Sequence, residues 1–154
     1  MKVLTINTEE CTGCKLCELA CSFVKAGSFN PLNSAIKIYY FDKNLEFVPL
    51  VCTQCRDAYC VKVCPTGSLY RNPETGVVEY NKALCIMCKQ CMMACPWGSI
   101  KPNLTSDAMI KCDHCGGDPE CVKYCPQGAL LYVEVEDAVY FKQRETATKY
   151  LRGE

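Results

Sequence analysis

The chain has 154 residues with 17 basic and 17 acidic side chains, a balance that does not point to nucleic acid as a partner. Its 49% apolar content counts 16 cysteines, so the hydrocarbon core that remains is thin for one domain and marginal for two small ones. Such a chain needs an internal staple, either disulfides or metal–thiolate bonds.

Disulfides would require an oxidising compartment and a segment that directs export. Met1 to Ile6 lead almost directly to Cys11, which leaves no room for an apolar h-region, a twin-arginine motif or a cleavage site. No apolar run reaches membrane-spanning length. The expectation is a soluble, cytoplasmic protein, with export on a partner's signal as the alternative.

In chain order, Lys2-Val3-Leu4-Thr5-Ile6 reads as a strand leading to the first cysteine group, Cys11-x2-Cys14-x2-Cys17-x3-Cys21. Ser22, not proline, follows Cys21, so a helix is expected to run on. Residues 22–51 hold no other cysteine. Asn30-Pro31-Leu32-Asn33 signals a turn, and Ala35 to Phe41 with Leu45 to Val48 read as a hairpin around Asp42-Lys43-Asn44. Its aromatic residues are expected to pack over the cysteine site beneath; contact with a partner is the alternative.

The second group is Cys52-x2-Cys55-x4-Cys60-x3-Cys64, followed by Pro65. Thr66 to Tyr70 open a turn, Arg71 to Gly76 place Pro73 and Gly76 where a hairpin needs them, and Val77 to Tyr80 form the return strand. The third group is Cys85-x2-Cys88-x2-Cys91-x3-Cys95, followed by Pro96. Met87, Met92 and Met93 are expected to pack around it, and Trp97 to be buried in a turn, shielding it from water. The fourth group is Cys112-x2-Cys115-x5-Cys121-x3-Cys125, followed by Pro126. His114, inside it, is expected on a solvated loop, with a tuning hydrogen bond as the alternative. Leu130 to Val135 read as a strand, and the polar residues 137–154 as a tail that ends in a short helix. That tail is either solvated or a docking strap.

No cysteine is left over, and each group resembles the bacterial ferredoxin run. A tight loop bearing C-x2-C-x2-C aims three thiolates at one iron–sulfur cube. The fourth cysteine, placed before a turn, points away and serves a different cube. Zinc sites use two separated C-x2-C pairs and need no third and fourth cysteine at fixed offsets. The cofactors expected are four [4Fe–4S] clusters, which with their thiolates would bring the working net charge to about −8.

Groups two and three, with the C-P-x-G turn and hairpin between them, form one complete two-cluster unit. Group one has a strand before it, and group four has a C-P-x-G turn and strand after it, so each holds what the other lacks. The fold class expected is α+β: two nested bacterial-ferredoxin-like units with short antiparallel hairpins and small helices. The outer unit spans 1–24 and 105–136, a hairpin insertion spans 25–49, the inner unit spans 50–104, and the tail spans 137–154. The ligand sets are then Cys11, Cys14, Cys17 and Cys125; Cys112, Cys115, Cys121 and Cys21; Cys52, Cys55, Cys60 and Cys95; and Cys85, Cys88, Cys91 and Cys64. Sequential pairing, one with two and three with four, is the rival.

The sequence carries no G-x-G-x-x-G after a strand, no P-loop and no evident nucleophile–base set. With every cluster ligand a cysteine, no iron is left open to substrate, so the expectation is an electron carrier and not a catalyst. The register, and above all Val48-Pro49-Leu50-Val51-Cys52-Thr53-Gln54-Cys55-Arg56-Asp57-Ala58-Tyr59-Cys60-Val61-Lys62-Val63-Cys64-Pro65-Thr66-Gly67, resembles the iron–sulfur subunits of the dimethyl-sulfoxide-reductase family. The likeness covers roughly residues 1–136. In its short connections the chain looks most like the small polyferredoxin subunits of cytoplasmic tungsten aldehyde oxidoreductases. That resemblance implies a large tungsten- or molybdenum-pterin catalytic partner and a flavoprotein or ferredoxin acceptor. A subunit of a molybdenum reductase, formate dehydrogenase or hydrogenase, or a free polyferredoxin able to self-associate, are the other readings.

Overall fold

The computed structural model describes residues 2–42 and 46–152. It is a small α+β structure, and its described strands pair two by two into antiparallel ribbons joined by short helices. Strand β1 (Lys2–Ile6) pairs with β8 (Leu130–Glu134), Lys2 opposite Glu134 and Ile6 opposite Leu130. Opposite charges face each other at one end and two core aliphatics at the other, which fixes the register. Strands β2 (Lys37–Phe41) and β3 (Glu46–Leu50) form the hairpin read from the sequence. Its tip, Lys43 and Asn44 with Leu45, lies outside the described residues. Strands β4 (Leu69–Arg71) and β5 (Val78–Tyr80) pair across the Pro73–Gly76 turn. A fourth ribbon joins β6 (Lys101–Pro102) to β7 (Met109–Ile110). The sequence reading missed it, because two residues per strand are too few to show an alternation.

Helix α1 (Leu16–Ala26) runs past Cys21 as expected and ends at Gly27, whose left-handed φ of 67° lets its N–H reach the Phe23 carbonyl at 2.8 Å. Its buried Glu18 accepts the Ile38 N–H at 2.6 Å and the Lys37 ammonium at 3.2 Å, pinning β2 onto the helix. Single turns α2 (Tyr59–Lys62), α3 (Gln90–Ala94) and α4 (Glu120–Lys123) carry Cys60, Cys91 and Cys121. Helix α5 (Val135–Arg152) corrects the expected tail: it is 18 residues long, starts directly after β8 and packs against β1 and β8. Its polar sequence gave no apolar stripe by which to foresee that length.

Two separate clusters of buried side chains form the core. One gathers Ile36, Val51, Ile110 and Leu130 with Cys17, Cys21, Cys112 and Cys121. The other gathers Leu69, Val78, Ile100 and Met109 with Cys91, and packs on Cys60, Cys64, Cys85 and Cys95. The buried cysteines of the first come from groups one and four, with Cys52 of group two packed against them, and the second takes its cysteines from groups two and three. Buried Asn33 ties the β6–β7 loop to the Pro31–Asn33 turn, accepting from Leu104 N–H and donating to Thr105 Oγ1.

Candidate metal centres

The four C-x2-C loops share one backbone device. The residue just before the second cysteine is left-handed in each: Gly13 (φ 69°), Gln54 (50°), Met87 (55°) and His114 (55°). That turn reverses the chain so that flanking thiols face a common centre. Lys15 and Lys89, just after the second cysteine of groups one and three, repeat the conformation. Only the first loop uses glycine at the reversal, and the reason is packing. A Cβ on Gly13 would stand 2.4 Å from the Phe47 ring of β3.

The loops surround small, mostly apolar hollows. One is lined by Cys11, Cys14, Cys17 and Cys125. A second is lined by Cys52, Cys55, Cys60 and Cys95. A third is lined by Cys64, Cys85, Cys88 and Cys91. Cys21, Cys112 and Cys121 also converge, in the first core. None of the sixteen is paired in a disulfide. Among the described residues no three Cys, His, Asp or Glu side chains close on one ion's position.

The donor chemistry fits iron–sulfur cubes. Backbone N–H groups point at cysteine sulfurs: Ala35 at Cys21 (3.3 Å), Met87 at Cys85 (3.4 Å) and Ser99 at Cys95 (3.4 Å). The Thr53 hydroxyl lies 3.2 Å from Cys55 Sγ. Burial pushes the thiols of Cys17 and Cys112 up to about 12 and that of Cys91 up to about 11. Thiols so placed become thiolates only beside strong positive charge, which bound iron supplies.

The loops are also tied to each other. Gln54 donates to the Cys112 carbonyl at 2.7 Å and accepts the Val78 N–H at 2.9 Å. Arg71 donates to the carbonyls of Cys55, Arg56 and Gly76. Lys111, buried, reaches Cys52 Sγ at 3.1 Å. The sequence reading found none of these three. All three make long-range contacts, and only the lysine carried a signal, its position next to Cys112.

Three expectations need correction. His114 is buried and not solvated: its ring meets Tyr132 edge-on, and its Nδ1 has no hydrogen-bond partner. Burial, then the Lys111 charge, hold its pKa below the usual imidazole value. The left-handed turn and the β8 strand behind it draw it inward. Trp97 is 51% exposed on the rim of the Cys52 hollow and not buried in its turn, because the chain leaves the surface there only at Ile100. Met87 and Met92 pack in the second core as expected, but Met93, on the outer face of α3, is 81% exposed.

Comparison with known proteins agrees with this chemistry. A model of the 4Fe–4S dicluster domain matches residues 43–130, and one of the 4Fe–4S binding domain matches residues 4–23. The chain belongs to the 4Fe–4S dicluster family. The polyferredoxin-like subunit of aliphatic sulfonate oxidoreductase from Pyrococcus furiosus is 37% identical over 122 residues, covering 79% of this chain and 70% of that one. The B subunit of anaerobic dimethyl sulfoxide reductase from Escherichia coli is 35% identical over 152 residues, covering 86% and 73%. The beta subunit of NADH-dependent phenylglyoxylate dehydrogenase from Aromatoleum evansii is 34% identical, but this chain spans only 30% of its length. The fold also matches the active-site complex BamBC of benzoyl coenzyme A reductase in complex with zinc, with a TM-score of 0.51 and 23% identity over 97% of this chain and 91% of that one.

Gly13 gives a test of the loop packing. Gly13→Ala is expected to cost about 1–3 kcal/mol through overpacking against Phe47, read as a lower thermal midpoint of the anaerobically purified protein. Adding Phe47→Leu should recover part of that loss; an unchanged midpoint in Gly13→Ala would mean that the ring simply moves aside.

Proposed function

We propose that this chain is the electron-transfer subunit of a cytoplasmic oxidoreductase complex and holds four [4Fe–4S] clusters in two nested ferredoxin-type units. The observation that carries the reading is the set of four-cysteine hollows, each built from two of the cysteine groups. The pairing of β1 with β8 and the division of the core into two parts support the nesting. The ligand sets are Cys11, Cys14, Cys17 and Cys125; Cys112, Cys115, Cys121 and Cys21; Cys52, Cys55, Cys60 and Cys95; and Cys85, Cys88, Cys91 and Cys64.

Single-electron transfer is the chemistry such clusters supply when bound. The protein's part is to space them, keep them dry and tune them. Contacts between the sets support a linear order: Cys17 and Cys21 share one core with Cys112 and Cys121, Cys52 packs against that core, and Gln54 joins the Cys52 loop to the Cys112 carbonyl. The hollow of Cys14 is therefore one end and the hollow of Cys88 the other. Cys14 and Cys88 are the exposed cysteines of the sixteen, so electrons enter and leave at opposite ends.

The donor in this reading is a tungsten-pterin catalytic subunit that oxidises aldehydes, and the acceptor is a flavoprotein or a ferredoxin. The likeness to a polyferredoxin-like oxidoreductase subunit and the short links between cysteine groups support that partnership. A molybdenum reductase is the second reading, favoured by the likeness to the B subunit of dimethyl sulfoxide reductase. The complex isolated anaerobically from its native cell should contain tungsten; molybdenum would favour the second reading, and nickel would replace both with a hydrogenase.

Cys21→Ser tests the nesting. The electron paramagnetic resonance signal it removes should be the one that Cys115→Ser removes. If it matches the signal lost in Cys55→Ser, pairing is sequential and the nested architecture is wrong.

A further inference from the structure

Lys111 lies where the two units meet, in a setting that is costly for a lysine. The residue is 4% exposed, beside Ile110 and Val78, which are more deeply buried still. Its Nζ has three acceptors: Cys112 O at 2.7 Å, Cys52 Sγ at 3.1 Å and Val78 O at 3.4 Å. An ammonium has three protons to give, so this geometry uses all of them. The ion pairs of Lys25, Lys37, Lys62 and Lys123 do not include Lys111. A buried cation without a carboxylate is strongly destabilising unless other negative charge stands beside it. The charge within reach is the thiolate of Cys52, together with whatever that thiolate binds.

We infer that Lys111 is a positioning residue that raises the reduction potential of the cluster held by Cys52, Cys55, Cys60 and Cys95. The inference rests on the four-cluster reading above. An iron–sulfur cube gains one negative charge when reduced, and a fixed positive charge in direct hydrogen-bond contact with one of its ligands stabilises the reduced form. The other sulfur contacts described above come from uncharged donors, the N–H groups of Ala35, Met87 and Ser99 and the hydroxyl of Thr53. Their effect is smaller than that of a charged donor. Lys111 therefore sets one inner site apart from the others. It places that site as an electron sink in the middle of the linear order, at the crossing from the Cys112 group to the Cys52 group. The bond to the Cys112 carbonyl holds the ammonium in place from the far side, and Gln54 spans the same gap in parallel.

The test is a redox titration, followed by electron paramagnetic resonance, of the full chain purified anaerobically with its partners. Wild type is compared with Lys111→Met, Lys111→Gln and Lys111→Arg, and iron is counted in each. In Lys111→Met one midpoint, that of the signal lost in Cys55→Ser, should fall by at least the equivalent of a tenfold change in the reduced-to-oxidised ratio, about 59 mV. Lys111→Gln, which keeps a donor but not the charge, should fall similarly, and Lys111→Arg should recover most of the shift. Midpoints unchanged in variants that keep their iron would overturn the inference. Iron lost from both neutral variants would also overturn it, because the lysine would then be a structural tie. Wild-type protein lacking four clusters would instead count against the functional reading itself.

Discussion

A thiol buried as deeply as that of Cys112 or Cys121 contributes to folding little more than a small aliphatic side chain would, and it ionises only next to a metal. This chain places many such thiols where other proteins of its size place leucine and phenylalanine. Four of the nine buried members of the first core are cysteine. Iron–thiolate bonding therefore does two jobs at once. It closes cores that are too thin in hydrocarbon, and it creates the redox centres. Fold and function share one set of bonds, in the way that small metal-dependent domains couple folding to binding.

From that constraint the rest of the architecture follows. Each hollow takes cysteines from two groups, so the chain must return to earlier segments, and β1 can close only on β8. The left-handed residue in every C-x2-C loop is the local expression of the same demand, because flanking thiols must turn toward one centre. Glu18 of α1, bonded to β2, and Gln54 of group two, bonded to Cys112 of group four, then hold the loops at fixed distances. Spacing of this kind is what electron transfer needs from a protein that supplies no catalytic side chains of its own.

Much of this was legible in the sequence because cysteine spacing is a geometric code with few solutions. The four groups, the strand before Cys11, the helix past Cys21 and the Pro73–Gly76 hairpin all appear where the residue pattern put them. What escaped notice was set by tertiary contact. His114 looked like a loop histidine because nothing local says that Tyr132 of β8 lies across it. Trp97 looked like a core residue because tryptophans usually are, yet it sits on a rim. Lys111 looked like one more charge. Its importance depends on Cys52, 59 positions away, and Val78, 33 positions away.

The most direct test of the account is the amount of iron and acid-labile sulfide in the isolated chain, purified without oxygen and assayed against protein concentration. Four cubes require about 16 of each per chain. A value near that figure for both would support the four-cluster subunit. Zinc with no labile sulfide, or thiols found oxidised in pairs, would contradict it.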